Sequence, residues 1–317
     1  MRTVIGSLKM VVWFVLTISV GNIFCTAQTS VLTWHNDNWR TGQNNQETTL
    51  TTTLVGNKNQ FGKVCTATLN GALGGKIQAQ PLVVANVKIG TITYASIAYV
   101  VTNTDAVWAI DNTCAMRKNA QLLPNQATGE TPANCNDIPC HQGTNQGPFS
   151  GTVGILGTPV IHLDTTNPAT GTMYVVTESE CPAQTACNQN TNKNIPWFIH
   201  RLHAVDITTL TEKANSPVLI CANGCGLQTT SGQFSVTHIQ RPGLLYLSTQ
   251  ETGTLNKNMV YAAFSMMDAF SNQNGWVFGF NADNLSDSAS AVSYSTSPEV
   301  FTVLPSGIWQ AGARVLS

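Results

Sequence analysis

Glu178 and Glu180 stand two residues apart in an apolar run, so in an extended strand their carboxyls share one face. Carboxyls that close raise each other's pKa, an arrangement that serves acid–base work or holds a cation. No matching partner group stands near them in the sequence, so no catalytic residue follows from the pair. His200 and His203 are three apart and point to opposite faces of a strand, so they cannot chelate one metal together. His203 also takes the place that Trp108 and Phe278 take in related segments, which assigns it to packing. His35, Asp37 and Asn38 could gather round an ion, but their setting favours a turn. Trp34, Trp39, Trp108, Trp197, Trp276 and Trp309 could form a stacking platform, although packing between sheets is the commoner use of such residues. The chain has no Gly-x-Ser-x-Gly elbow, P-loop, His-Glu-x-x-His or dinucleotide fingerprint. No metal site is expected.

The cysteines form a second constellation. Of nine, Cys25 falls in a leader, which leaves Cys65, Cys114, Cys135, Cys140, Cys181, Cys187, Cys221 and Cys225. An even set in an exported chain reads as disulfides. The simplest pairing joins Cys135 to Cys140, Cys181 to Cys187, Cys221 to Cys225, and Cys65 to Cys114 over a longer span. Cys221 and Cys225 could instead bite a zinc ion, but no second pair has ligand spacing.

The elements that must position these residues come from a pattern that occurs three times. Tyr99–Thr102 is followed by Val107–Asp111, Tyr174–Thr177 by Leu202–Asp206, and Tyr261–Phe264 by Val277–Asn281. A proline-led apolar strand precedes each unit, at Pro81, Pro159 and Pro242. Asp111, Asp206 and Asn281 can each accept the backbone N–H two residues on and close a turn. A last, poorly marked strand completes each unit. Serial short strands of this kind indicate an all-β, incomplete β-propeller of about three four-stranded blades, with Gly307–Gly312 as the start of a fourth. The residues just before the prolines, Gln80, Thr158 and Arg241, with Gln310 in the fourth lead-in, are expected at the mouth of a central channel. Polar side chains converging there could bind an anion or a polar ligand. Open blade edges would invite self-assembly.

Bulk properties agree with strands and turns. Charged residues are only 10% of the chain and hydrophobic residues 42%. The net charge of −1 and the lack of a basic stripe argue against nucleic acid as a partner. Arg2 and Lys9, the apolar run Met10–Val20 and the small residues ending at Ala27 read as a signal peptide over 1–27. Residues 28–317 then form the propeller domain, periplasmic or extracellular, with no later stretch apolar enough to cross a membrane.

Trp34–Asn44, Ala79–Val83, Arg201–Asp206 and Gln240–Gly243 together resemble secreted bacterial proteins with quinoprotein-like (pyrroloquinoline quinone, PQQ) β-propeller repeats. The resemblance implies a blade-built, exported protein. Its dehydrogenase branch carries PQQ and calcium over the axis, with a catalytic aspartate and adjacent cysteines; Arg241 would then meet a PQQ carboxylate. This chain has no Cys-Cys dipeptide, no assignable calcium set, and Thr209-Leu210 where the family's repeat has Thr-Gly. The expected function is therefore a non-catalytic binding or scaffolding module with a protein or glycan partner. The alternative is all or part of a PQQ- and calcium-dependent alcohol or sugar dehydrogenase.

Overall fold

The computed structural model describes residues 30–44, 47, 49–71, 73–135, 151–189, 192–194, 196–220, 234, 238–252, 256–266, 275–296 and 308. The signal segment and Cys140, Cys221, Cys225, Trp309 and Gln310 lie outside these residues.

Three antiparallel sheets form in chain order. The first is a meander of β1 (Leu82–Ile89), β2 (Ile92–Thr102), β3 (Ala106–Asp111) and β4 (Met116–Gln121). The second contains β5 (Thr131–Pro132), β6 (Val160–Asp164), β7 (Asn167–Cys181), β8 (Trp197–Asp206) and β9 (Val218–Leu219). In the third are β10 (His238–Ile239), β11 (Leu245–Leu247), β12 (Met259–Met266), β13 (Gly275–Asn281) and β14 (Val292–Ser295). In the second and third sheets two short strands share one edge: β6 and β5 both pair β7, and β11 and β10 both pair β12. Among the described residues these sheets do not close into a barrel or ring.

The threefold pattern keeps its register. Tyr99 faces Ala109, Tyr174 faces Ala204, and Tyr261 faces Gly279. One position away, Val100 pairs Trp108, Val175 pairs His203, and Ala262 pairs Phe278. The turns close as their residue types require: Asp111 Oδ1 accepts from Thr113 N at 2.8 Å, Asp206 Oδ1 from Thr208 N at 2.7 Å, and Asn281 Oδ1 from Asp283 N at 3.0 Å. The poorly marked last strands are present as β4, β9 and β14. Their faint signal has a cause: β4 is largely exposed and polar, Met-Arg-Lys-Asn-Ala-Gln, as suits an edge strand.

The sheets stack face to face. Along β7 the side chains alternate, so Met173 and Val175 join Leu82, Val84, Ile97 and Tyr99 of the first sheet in one core. Tyr174 and Val176 join Val260, Ala262, Phe264 and Phe278 of the third sheet in another. Burial on both faces explains the unbroken apolar run Met173–Val176. Each such side chain contributes about 1.5–3 kcal/mol when fully buried. Tyrosine hydroxyls stitch successive sheets: Tyr99 donates to Ile207 O at 2.6 Å, and Tyr174 to Ala282 O at 2.8 Å. Both acceptors directly follow the turn-closing Asp or Asn of the next unit. The outer face of the first sheet, with Val100, Trp108 and Ile110, is covered by Ala67, Leu69 and Leu73.

Two of the expected disulfides form, Cys65–Cys114 and Cys181–Cys187. Cys135 is also disulfide-bonded, to a partner outside the described residues. Among the described residues no helix is long and apolar enough to cross a membrane.

Candidate functional site

The expected channel-mouth residues do come together in part. Gln80 N donates to Thr158 Oγ1 at 3.0 Å, and Leu244 N donates to Thr158 O at 2.9 Å. The chain itself occupies this place. Val31 exchanges two backbone hydrogen bonds with Val83, and Ile161 N donates to Leu32 O at 2.8 Å. His35 N donates to Gln80 Oε1 at 3.2 Å, and Arg40 Nη2 to Leu244 O at 2.8 Å. Residues 31–40 thus strap the proline-led segment of each sheet: β1, β6 and the start of β11. Gly243 is required beneath the strap, because a Cβ there would lie 2.8 Å from Trp34 Cβ. Arg241 is half-buried, and burial lowers its pKa. His35, Asp37 and Asn38 form the expected turn: Asp37 accepts from Thr41 N at 3.2 Å, and His35 O accepts from Gly42 N at 3.0 Å.

Where β7 meets β8, charged side chains are buried. His203 Nδ1 donates to Glu212 Oε1 at 2.5 Å, and its Nε2 lies 2.9 Å from Thr177 Oγ1. Hydroxyl, imidazole and carboxylate in this order match the relay of acyl-transfer enzymes. Thr177 and His203 are both 0% exposed, so a substrate carbonyl has no route to the hydroxyl. The trio is a strut that ties the buried Thr177 and His203 to Glu212 at the surface. His203 does occupy the packing position expected of it, with polar tethers added. Beside it, Arg201 Nη1 pairs with Glu130 Oε1, which Ser179 also meets.

Glu178 and Glu180 are both buried, and they divide their contacts. Glu180 Oε2 accepts from Asn134 N at 3.4 Å. Glu178 Oε2 lies 3.6 Å from His200 Nε2, which itself meets His238 O at 2.9 Å. Burial pushes the Glu178 pKa up, and His200 partly offsets that. Asp105, in the β2–β3 turn at φ 55°, is 0% exposed. Neither of its oxygens makes a well-formed hydrogen bond, and the backbone N–H of Glu178 gives only partial relief. Burial, then the charges of Glu178 and Glu130, raise its pKa well above the usual carboxylate range. Among the described residues no three His, Cys, Asp or Glu side chains are grouped to hold a metal ion.

An accessible cavity of about 620 Å³ lies at the opposite end of β7, between the second and third sheets. His162 and Asp164 of β6, Thr170, Thr172 and Tyr174 of β7, Lys213, Asp283 and Leu285 line it. The Tyr174–Ala282 stitch fixes its floor. Lys213 Nζ donates to Thr172 Oγ1 at 2.7 Å, Thr170 Oγ1 to Asp164 Oδ2 at 2.6 Å, and Asn258 Nδ2 to both oxygens of Asp283 at 3.0 Å. Burial lowers the pKa of His162, which stacks on Tyr246 with centroids 4.2 Å apart. The sequence reading missed this site. Its one local signal is that Asp164 ends β6 and Asp283 lies in the turn just past β13.

The tryptophans mostly pack. Trp108 and Trp276 are buried in cores, Trp197 lies against the Cys181–Cys187 pair, and Trp39 is 73% exposed. No protein-family model matches the chain, and no curated protein matches its sequence.

Proposed function

We propose that the chain is an exported, non-catalytic binding module built from quinoprotein-like β-propeller repeats. The observation that carries the binding role is the cavity beside Lys213, Asp164 and Asp283, where charges of both signs rest on neutral partners. Among the described residues the Thr177–His203–Glu212 relay has catalytic order, but its hydroxyl and imidazole are buried in the core, with only Glu212 reaching the surface. Propeller architecture is supported by the conserved register of the three sheets and by the repeated tyrosine stitch. The matching acceptor for Tyr261, third in that series, would come from one more unit of the same kind. Disulfides support export.

The rival reading, a PQQ- and calcium-dependent dehydrogenase, gains no calcium set from the described residues. Titration of the disulfide-bonded protein with PQQ and calcium, followed by dye reduction with primary alcohols and glucose, separates the two. A flat titration without turnover is expected. Saturable turnover would overturn the binding-module reading in favour of the dehydrogenase.

A further inference from the structure

Resting on that reading, we infer that the cavity between the second and third sheets takes a small zwitterion: a free amino acid or a short peptide with both termini charged. Lys213 and the two carboxylates share one cavity of about 620 Å³, a volume within the usual range for small-molecule sites. No ion pair within 4.0 Å joins Lys213 to Asp164 or Asp283, and each instead rests on a neutral hydroxyl or amide. Opposite charges left to collapse would satisfy one another. Here Thr172, Thr170 and Asn258 hold them apart and leave lone pairs and N–H groups for a guest.

A ligand with separated charges completes that arrangement. Its ammonium meets the carboxylates of Asp164 and Asp283, and its carboxylate meets the Lys213 ammonium. These are charge-assisted hydrogen bonds, about twice as strong as neutral ones. The lining carries a net negative charge when His162 is neutral, so the ammonium end is the better served. Leu285 gives the guest's side chain an apolar contact. A neutral sugar could use the same acceptors, but it would have no need of three ionised groups.

Isothermal titration calorimetry at pH 7 tests this with alanyl-alanine, its N-acetyl and C-amide forms, and maltose. The free dipeptide is expected to bind saturably, and each blocked form at least tenfold more weakly. Lys213→Met should remove the penalty for amidation, and Asp283→Asn or Asp164→Asn should shrink the penalty for acetylation. Unchanged thermal melting shows that the variants are folded. Equal binding of blocked and free dipeptides overturns the inference, as does no binding by the folded wild type. Binding of maltose alone also overturns it while leaving the binding module standing. Failure of the module itself is read separately, as turnover with PQQ and calcium.

Discussion

Asp105 offers the sharpest test of the packing between the first two sheets. Its carboxyl is 0% exposed and lacks a well-formed hydrogen bond. Its pKa is raised in the folded protein, first by burial and then by Glu178 and Glu130. A carboxyl raised on folding binds its proton more tightly in the native state than in the unfolded chain. It therefore costs nothing below the unfolded pKa near 4, and stability is lost as pH rises from there toward the folded pKa. The slope of that loss is at most about 1.4 kcal/mol per pH unit for one proton. Asp105→Asn keeps the shape and removes the charge. Leaving a buried polar group unsatisfied costs about 1–3 kcal/mol, more for a charge. We expect the two proteins to be equally stable near pH 4, and the variant to lead by about 1–3 kcal/mol at pH 8. Urea unfolding at half-unit pH steps, with disulfides intact, measures the difference. A gap that does not change with pH, or a variant weaker at pH 8, would refute the reasoning.

Four further outcomes follow from the same contacts. Tyr99→Phe and Tyr174→Phe should each lose about 1 kcal/mol in denaturant melts, since each removes a buried hydroxyl bond and orphans a carbonyl; Tyr261→Phe, whose hydroxyl makes no such bond among the described residues, should change stability little. Gly154→Ala should cost about 1–3 kcal/mol in the same assay, because its Cβ would sit 2.5 Å from Asp105 Oδ1 and 2.7 Å from Asn103 O. Replacing Cys65 and Cys114 by serine releases a span of 49 residues, with a loss of up to about 4 kcal/mol from loop entropy alone. NMR titration should find His162 below its ordinary value of 6.5, owing chiefly to burial; Asp283→Asn should lower it further and Lys213→Met should raise it.

What the sequence makes legible is whatever is repeated or local. The threefold recurrence of one motif puts Tyr99, Tyr174 and Tyr261 on equivalent strands, and the Asx turns after Asp111, Asp206 and Asn281 need only two residues of context. Cys181 ends β7 and Cys187 stands 6 residues on in the loop that follows, so their bond is readable. Buried charge was not. Glu130 meets Arg201 across 71 residues, and nothing near either one announces the other. The cavity is hidden for the same reason, because Asp164 and Lys213 stand far apart within the second unit and Asp283 comes from the third. Glu178 and Glu180 do lie two apart on one strand, β7, but their partners are remote, His200 on β8 and Asn134 just after β5.

The strap over residues 31–40 shows why a repeat pattern alone gives an incomplete account of this fold. Like units stacked in series leave the proline-led strand of each sheet at an edge, a template for wrong pairing. A segment outside the repeats answers that problem for all three sheets. It pairs as a strand with Val83, gives a carbonyl to Ile161, and reaches the third sheet through side chains, Arg40 to Leu244 O and Asn38 to Tyr246 O. The change from backbone to side-chain bonding has a local cause: His35, Asn36 and Arg40 adopt positive φ, so the segment turns back on itself. Arg40 Nη1 also donates to Trp34 O at 2.8 Å, which ties that turn closed. Gln80 and Thr158, placed by their prolines where a ligand was expected, spend their hydrogen bonds on this strap and on one another. The cavity lined by Lys213, Asp164 and Asp283, the site proposed for recognition, lies at the other end of β7.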